Sequence, residues 1–359
     1  MKKHPMTLIG VVLIVVLAAF FVYASKQSAP GADKHGTAAE EPESAASAQG
    51  EESSEAKKVR IGILQLMSHP SLDQIHQGII DGLKARGYEN GKNVEIEDLN
   101  GQGEQSNLKM MSDQLVADQS DYLVAIATPS AQALSTAAQG RIPMIMSAVT
   151  DPVGAGLVDS MENPGKPVTG TSDALPVAEQ IDLLRAFVPG AKTIGLLYTT
   201  SEPASAAQIA EAKEAVEKAG LKAVEASIAS TNDLAQVAET LAGDVDAIYV
   251  PNDNTIAASM NTLIAATNAH RIPVIASAEA MVASGALASR GVVQYQIGID
   301  TANMLADVME GKDPSTMPVQ LSIKAEIYVN VAQAEQLGIA IPDEVRNQMK
   351  DVSSETPEQ

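Results

Sequence analysis

The stretch RIPMIMSA at residues 141–148 recurs 130 residues later as RIPVIASA at residues 271–278. Each copy carries a short apolar run directly before a serine, which is the pattern of a buried strand that ends at the edge of a sheet. Near-continuous apolar runs are typical of parallel strands covered by helices on both faces. The two octapeptides therefore predict two α/β domains of similar construction.

Two further echoes occur in the same order and at nearly the same spacing. IGIL at residues 61–64 pairs with IGLL at 194–197, and DYLV at 121–124 pairs more loosely with DAIY at 246–249. The spacing is far longer than that of a solenoid repeat. We therefore expect an α/β fold with two similar Rossmann-like lobes, each built around its own parallel sheet.

Helix-like segments separate the apolar runs. Residues 72–86 and 204–219 are predicted helices, and each is followed by a glycine, Gly87 or Gly220. A glycine in this position commonly adopts a left-handed conformation that ends a helix. The alternation of strand and helix is what a doubly covered parallel sheet requires.

The composition excludes several classes of function. The 359 residues include 24 Lys and Arg against 45 Asp and Glu, a formal net charge of -21, and no cysteine. An acidic chain lacks the basic surface that a nucleic-acid partner needs. Without cysteine there is no disulfide, thiolate nucleophile or Cys-ligated metal. The histidines lack metal-ligand spacing and no serine lies in a nucleophile elbow, so we expect neither a cofactor nor an enzyme.

The N-terminal segment, residues 1–28, is predicted to be a membrane anchor or a signal segment. Residues 6–25 contain no charged side chain, a length that suits a bilayer-spanning helix better than the shorter core of a signal peptide. Lys2 and Lys3 favour a cytoplasmic start. VYA at residues 22–24 keeps the cleaved alternative open. We expect a retained anchor, and both alternatives place the rest of the chain outside the cytoplasm.

Two segments have the composition of disordered chain. Residues 29–58 are rich in Ala, Ser, Gly and Glu and have no apolar periodicity, which predicts an acidic linker. Residues 350–359 are predicted to be a disordered tail. Neither segment is assigned a binding role.

The candidate ligand-binding residues follow the predicted strands or begin the next helices. In open α/β sheets, ligands bind beyond the carboxyl ends of the strands, and two facing lobes would close over a ligand between them. Ser, Thr, Asn and Asp are also preferred helix N-caps, so capping is the alternative role for each. The candidates are Gln65, His69, Thr128, Pro129, Ser130, Ser147, Asp151, Ser201, Glu202, Asn252, Asp253, Asn254, Ser277, Glu279, Gln294 and Tyr295.

These groups suit a small zwitterion. Helix N-termini and the hydroxyls of Thr128, Ser130 and Ser147 would hold a carboxylate without a basic residue. An ammonium group needs a carboxylate partner, for which Asp253 and Glu279 are the candidates.

Two side chains, Asp151 and Tyr249, have a competing structural interpretation. Asp151 is another carboxylate candidate, although Asp-Pro after a strand is typical of a turn. Tyr198, Tyr249 and Tyr295 could line a pocket for an apolar or aromatic group. Tyr249 lies inside a strand, where packing in the core is the preferred interpretation.

Six segments together carry a family resemblance: residues 61–87, TPSAQA at 128–133, SAVTDP at 147–152, VTGTSD at 168–173, NDNT at 252–255 and residues 291–298. They resemble the ABC transporter substrate-binding family associated with tryptophan and tyrosine uptake. The resemblance spans about residues 59–349. Where relatives often have two adjacent tyrosines, this chain has Gln294 and Tyr295, and it has no tryptophan.

The resemblance implies a type I periplasmic-binding-protein architecture with three crossing segments that act as a hinge. It implies a first lobe of residues 59–171 with 298–321, and a second lobe of residues 172–297 with 322–349. It also implies an ABC permease and its ATPase subunit as partners. We expect a monomer that is anchored to the membrane by its N-terminal segment.

The resulting hypothesis is a binding protein that captures an aromatic L-amino acid, with tryptophan favoured over tyrosine and phenylalanine, and with His69 and Tyr295 near its ring. One alternative is a sugar or another small polar solute in the same fold. A second alternative is an enzyme that uses Asp151 with Asp253 or Glu279 as paired carboxylates.

Overall fold

A computed structural model describes residues 58–321 and 325–353 of the chain. The predicted anchor, residues 29–57 of the predicted linker and residues 354–359 of the predicted tail lie outside this described part. Across those two described ranges, no helix combines the length and apolarity needed to cross a bilayer.

Thirteen strands occur within the described residues. In chain order they are β1 (Val59–Gln65), β2 (Val94–Asn100), β3 (Tyr122–Ile126), β4 (Met144–Ser147), β5 (Val168–Ser172), β6 (Thr193–Thr199), β7 (Lys222–Ile228), β8 (Ala247–Val250), β9 (Val274–Ala276), β10 (Ala288–Gly291), β11 (Gln320–Leu321), β12 (Glu326–Val329) and β13 (Met349–Asp351).

Twelve α-helices connect these strands in the same part of the chain. They are α1 (Pro70–Ala85), α2 (Gln105–Ala117), α3 (Thr128–Ala138), α4 (Val177–Phe187), α5 (Pro203–Lys218), α6 (Leu234–Ala242), α7 (Asn254–Ala257), α8 (Met260–Ala269), α9 (Glu279–Ala283), α10 (Gln294–Met309), α11 (Val331–Leu337) and α12 (Asp343–Arg346).

The two sheets repeat one topology, as the sequence echoes predict. The first sheet has the order β11-β5-β4-β3-β1-β2, and the second has β13-β12-β10-β9-β8-β6-β7. The five-strand block β5-β4-β3-β1-β2 of the first sheet therefore matches β10-β9-β8-β6-β7 of the second. We call each sheet with its covering helices a lobe.

The repeat extends to single side chains. Asp121 precedes β3 and accepts a hydrogen bond from the backbone N–H of Arg60 at the start of β1, 2.9 Å away. Asp246 precedes β8 and accepts from the backbone N–H groups of Lys192 and Thr193 at the start of β6. These backbone donors hold the pKa of the Asp246 carboxyl below its usual value. Each aspartate ties the third strand of its lobe to the first.

Strands of the second sheet are covered on both faces, which confirms the prediction from their continuous apolar runs. Leu196 of β6 is fully buried in one apolar cluster, and its neighbour Leu197 is fully buried in another. Tyr249 of β8 is 1% exposed and belongs to the first of these clusters, so it is a core residue rather than a pocket residue. Alternate side chains point to opposite faces of a strand, so both faces need an apolar cover.

The predicted helix ends are also confirmed. Helix α1 ends one residue before Arg86, and Gly87 follows with φ +89°. Helix α5 ends one residue before Ala219, and Gly220 follows with φ +75°. Both glycines adopt the left-handed conformation that a side chain would strain.

The second sheet contains one antiparallel strand in addition to its parallel strands. The first sheet is wholly parallel, but β12 runs antiparallel to β10 in the second. The chain reaches β12 from β11 at the far edge of the first sheet, so it enters the second sheet outside the βα repeat. A strand that enters without a crossover helix is free to run in either direction.

Three crossings join the lobes, at residues 173–176, at 292–293 and between β11 and β12. The second crossing comes before Gln294 rather than at residue 298, because α10 packs against α1 from its first turn. A Cβ on Gly78 would lie 2.2 Å from the carbonyl oxygen of Tyr295. The predicted second boundary is therefore four residues late.

The predicted start of the tail at residue 350 is too early. Lys350 and Asp351 belong to β13, which pairs with β12, and the side chain of Val352 is buried. Backbone pairing and one buried side chain order this short, polar segment although its composition is that of disordered chain.

Candidate functional site

A chamber lies between the lobes at the carboxyl ends of their central strands. It has a volume of about 40 Å³ and receives side chains from the loops after β1, β3, β4 and β5 and after β6, β8 and β9. Eight of the sequence candidates line it: His69, Thr128, Pro129, Glu202, Asn252, Asp253, Asn254 and Gln294. The strand-end rule therefore brings half of the candidate residues together at one chamber.

The other eight candidates, all within the described residues, do not line the chamber. They are Gln65, Ser130, Ser147, Asp151, Ser201, Ser277, Glu279 and Tyr295. Most of them have structural partners that account for their polar atoms.

Three of these side chains hold neighbouring segments together. Gln65 donates hydrogen bonds to the carbonyl of Met67 and to the carboxylate of Asp73. The hydroxyl of Ser147 lies 2.7 Å from that of Thr301 in α10. Ser277 donates to the carbonyl of Val250, which ties the loop after β9 to β8.

The remaining five lie in turns, in the core or on outer surfaces. Asp151 accepts from the backbone N–H of Gly154, which is the turn role that Asp-Pro suggested. Ser201 is exposed and Ser130 is fully buried. Glu279 faces a separate outer cleft. Tyr295 is 39% exposed and donates to Asp81 of α1, so it does not reach the chamber.

The structure adds residues that sequence reasoning missed. Asp173 lies at the end of β5 and lines the chamber, as does Thr150 after β4. The strand-end rule would have found Asp173, but VTGTS at 168–172 is too polar to be read as a buried strand. The apolar lining residues include Leu72, Ile75 and Met281, which in a single sequence look like ordinary helix core.

Asp173 links the two lobes. Its Oδ1 accepts a hydrogen bond from the hydroxyl of Thr150 at 2.8 Å, and its Oδ2 accepts from the side-chain amide of Asn252 at 3.1 Å. Burial raises the pKa of the Asp173 carboxyl, and the bond from Thr150 lowers it by less. Each oxygen has capacity for a further donor, so this carboxylate is suited to a cationic group.

Two buried carboxylates hold the loop before α7. Each oxygen of Glu202 accepts two hydrogen bonds, from the backbone and side chain of Asn254 and from those of Thr255. Asp253 is the N-cap of α7 and accepts from Thr199 twice and from the backbone N–H of Ile256. Glu202 is therefore saturated by protein donors, and its position fixes the side chain of Asn254.

Asp253 is unusual among the carboxylates of the molecule. Burial first, and then the nearby Glu202, raise the pKa of Asp253 to about 7, although three donors oppose the shift. Its donors make it a support for the loop more than a ligand group.

His69 contacts the second lobe across the gap between the lobes. Its Nε2 lies 3.2 Å from Oδ1 of Asn254, and the side chain is 5% exposed. Burial lowers the pKa of the His69 imidazole more than Asn254 and Asp73 raise it. The ring is therefore neutral at physiological pH and acts by hydrogen bonding and shape.

An outer cleft of about 930 Å³ adjoins the chamber between α1 and the helices α7, α8 and α9. His69 and Ala257 line both spaces, one from each lobe. The chamber and the cleft therefore meet at these two residues.

The backbone is strained where the first lobe meets the chamber. Ala127 and Ala148 follow β3 and β4 and have φ values of 76° and 52°. Residues other than glycine rarely adopt such values, and strain of this kind concentrates at functional sites. It turns the start of α3 and the loop after β4 sharply at the edge of the chamber.

Solved structures show the same architecture. A domain from Streptococcus pneumoniae in complex with L-Trp is 42% identical, covers 81% of this chain and 98% of its own, and has a TM-score of 0.79. The ligand-free, open structure of a substrate-binding protein with adhesive properties from Clostridium difficile is 38% identical, covers 81% and 99%, and has a TM-score of 0.64.

Sequence comparisons point to one family. A protein of Clostridioides difficile named as a tyrosine-binding protein is 39% identical over 285 residues, which are 79% of this chain and 82% of that protein. The family model for ABC transporter substrate binding proteins matches residues 60–353. The match covers both lobes and all three crossings, so the chain belongs to the ABC transporter substrate-binding protein family.

Proposed function

We propose that this chain captures an aromatic L-amino acid between its lobes and delivers it to the permease of an ABC importer. The observation that carries the proposal is a chamber lined by both carboxylates and apolar side chains of the two lobes. It lies in a chain about 40% identical to one protein named for tyrosine binding and to another solved with L-Trp.

The ligand ammonium would bind Asp173, which has spare acceptor capacity and joins both lobes through Thr150 and Asn252. This replaces the sequence expectation of Asp253 or Glu279, since the first is occupied by three donors and the second faces the outer cleft. The approach of an ammonium group would favour the ionised form of Asp173 and offset the effect of burial.

The ligand carboxylate would bind at the start of α3, a helix of 11 residues whose first residue is Thr128. The hydroxyl of Thr128 and the backbone N–H groups of Thr128 and Ser130 can hold an anion without a basic side chain, whereas Pro129 has no N–H to donate. Ser130 and Ser147, the other hydroxyls expected there, do not line the chamber.

The ligand ring would lie against Leu72 and Ile75 of α1 and Met281 of α9. The two helices pack together across the gap between the lobes, and these three side chains line the chamber. Methionine adapts its shape to a ring and makes favourable sulfur contacts with it.

The sugar alternative has less support. Sugar sites commonly stack a ring of the sugar on an aromatic side chain, and among the described residues no Phe or Tyr lines the chamber. The enzyme alternative is not supported either, because the matching relatives are substrate-binding proteins.

Titration calorimetry with each of the twenty L-amino acids tests the ligand. We expect binding of aromatic amino acids only, and a loss of affinity of about 10- to 100-fold in Asp173→Asn, since a charged hydrogen bond contributes about 1.5–3 kcal/mol. Asp113→Asn, an exposed carboxylate of α2 paired with Lys109, is the matched control. Absence of binding to every aromatic amino acid would refute the proposal.

A substrate-binding protein of an ABC importer works outside the cytoplasm, which is where the folded part of this chain acts. We further propose that residues 6–25 remain as a membrane anchor and that the protein works as a monomer. Expression of the full chain followed by membrane fractionation tests the first point, with a chain starting at residue 29 as the control. Light scattering of the soluble part tests the second.

A further inference from the structure

His69 has one nitrogen in use and one without a partner. Nε2 contacts Oδ1 of Asn254 in the other lobe, whereas Nδ1 is buried and has no hydrogen-bond partner among the described residues. An unpaired buried acceptor or donor is costly, and native proteins rarely keep one without a reason. Since His69 lines the chamber, a ligand is the natural partner for Nδ1.

The hydrogen-bond network fixes what Nδ1 can do. Oε2 of Glu202 accepts from the Nδ2 of Asn254 at 2.7 Å, so the amide of Asn254 turns its NH₂ to Glu202 and its Oδ1 to His69. An amide oxygen only accepts, so Nε2 of His69 must carry the hydrogen. In the neutral imidazole the second nitrogen is then an acceptor. The ligand must therefore offer a donor to Nδ1.

The position of His69 indicates which ligand donor this is. Asp253 has extended backbone angles, so the side chains of Asn252 and Asn254 point to the same side, about 7 Å apart along the strand direction. Asn252 contacts Asp173, and Asn254 contacts His69. Asp173 and His69 are therefore held from two positions about 7 Å apart, a separation similar to that between the ammonium group and the polar ring atom of tyrosine or tryptophan.

We propose that Nδ1 of His69 accepts a hydrogen bond from the ring of the bound amino acid, the phenol O–H of tyrosine or the indole N–H of tryptophan. His69 is then a specificity-determining residue that selects these two amino acids over phenylalanine. The inference rests on the proposed function, because it assumes an aromatic amino acid in the chamber.

The expected selectivity follows from the unpaired acceptor. Phenylalanine fills the same space but leaves Nδ1 buried and unpaired, and a site built around a hydrogen bond rejects a ligand that lacks it. We expect phenylalanine to bind about 10- to 100-fold more weakly than tyrosine. The isostere of tryptophan 3-(3-benzothienyl)-L-alanine, in which sulfur replaces the N–H, should likewise bind more weakly than tryptophan.

Calorimetric titration of the wild-type protein with both ligand pairs is the first test, and it needs no variant. His69→Leu, which keeps an apolar side chain but removes the acceptor, is the second. It should weaken every ligand by loss of the Asn254 contact, but the ratio of tyrosine to phenylalanine affinity should contract to within about threefold. His76→Leu is the control, because His76 lies on the same helix and contacts Asp98 away from the chamber.

The outcomes separate the two proposals. Equal wild-type affinities within each ligand pair, or an unchanged ratio in His69→Leu, would overturn the role of His69 while leaving aromatic binding intact. Absence of any aromatic binding would overturn the proposed function itself.

Discussion

The buried carboxyl of Asp253 should stabilise the folded protein at low pH and not at high pH. Most aspartates show the opposite dependence of stability on pH. The pKa of Asp253 is about 7 in the folded protein, because burial and Glu202 disfavour the charge, against about 3.9 in an unfolded chain. Between these values only the folded state holds the proton. The stability contributed by Asp253 is therefore fully present below about pH 4 and is lost as the pH rises through 7.

Asp253→Asn should remove this dependence. The amide cannot ionise, so the free energy of unfolding of the variant should decline less between pH 4 and 7 than that of the wild type. The variant should also be destabilised by about 1–3 kcal/mol, because its NH₂ group opposes the backbone N–H of Thr199. Urea unfolding at several pH values measures both effects. Parallel pH profiles for the two proteins would contradict the assignment.

Asp173 should give ligand binding a pH dependence of its own. Burial raises the pKa of its carboxyl, and a protonated carboxyl no longer pairs with an ammonium group. Affinity for the aromatic ligand should therefore fall on acidification, starting at a higher pH than for an exposed aspartate. Titrations between pH 4 and 8 check this, and Asp173→Asn should show a flatter profile.

Single residues of the site were only partly predictable from the sequence. Asn252 and Asn254 follow a clear apolar strand and were found, whereas Asp173 follows a polar strand and was missed. Ser147 follows a clear strand too, but it contacts Thr301, which is 154 residues away. Strand ends locate the region of a site, but long-range packing decides which of their side chains face it.

At the scale of elements, α1 and α10 pack with their backbones in close contact. A Cβ on Gly298 would lie 2.1 Å from the carbonyl oxygen of Ile75, and one on Gly78 would lie 2.2 Å from that of Tyr295. Both obstacles are backbone atoms, which cannot move aside as a side chain would. Only glycine permits the two helices to approach this closely.

Gly298→Ala should destabilise the protein by about 1–3 kcal/mol or more, because the added methyl group must push the helices apart. Thermal unfolding measures the effect. Gly190→Ala is the matched control, because a methyl group there would meet no atom within 4 Å beyond its chain neighbours. Equal melting temperatures for the two variants would show that the helix pair yields without cost.

The elements themselves were the most predictable level. Apolar runs marked the central strands, and glycines marked the ends of α1 and α5, because burial and left-handed backbone leave local signals. The direction of β12 and the start of α10 leave no such local signal in the sequence. Both depend on how the chain returns between lobes, which is a property of the tertiary structure.

At the scale of the whole molecule, the lobes lie close together. His69 contacts Asn254 across the gap, and the chain fits the L-Trp complex with a TM-score of 0.79 against 0.64 for the open relative. The chamber has a volume of about 40 Å³ and is lined by residues of both lobes. We therefore expect the lobes to separate at the three crossings when a ligand enters.

Ligand should shift the distribution of lobe separations toward the closed arrangement. The chain has no cysteine, so spin labels can be placed at Gln77→Cys and Asn261→Cys, exposed positions on opposite walls of the outer cleft. Pulsed electron–electron double resonance should show a shorter and narrower distribution of distances between the two labels when an aromatic amino acid is added. An unchanged distribution would contradict hinge closure.

The glycine contacts between α1 and α10 have a consequence for how a guest is accommodated. One of these helices, α1, contributes Ser71, Leu72 and Ile75 to the chamber, and α10 contributes Gln294. The close backbone contact between the two helices makes this side of the chamber rigid. On the facing side, Met281 lies on a helix of five residues and has a pliable side chain. We therefore expect the side of the chamber formed by α1 and α10 to keep its shape when a ligand binds. Ligands of different size should be accommodated by movement of Met281 in the second lobe.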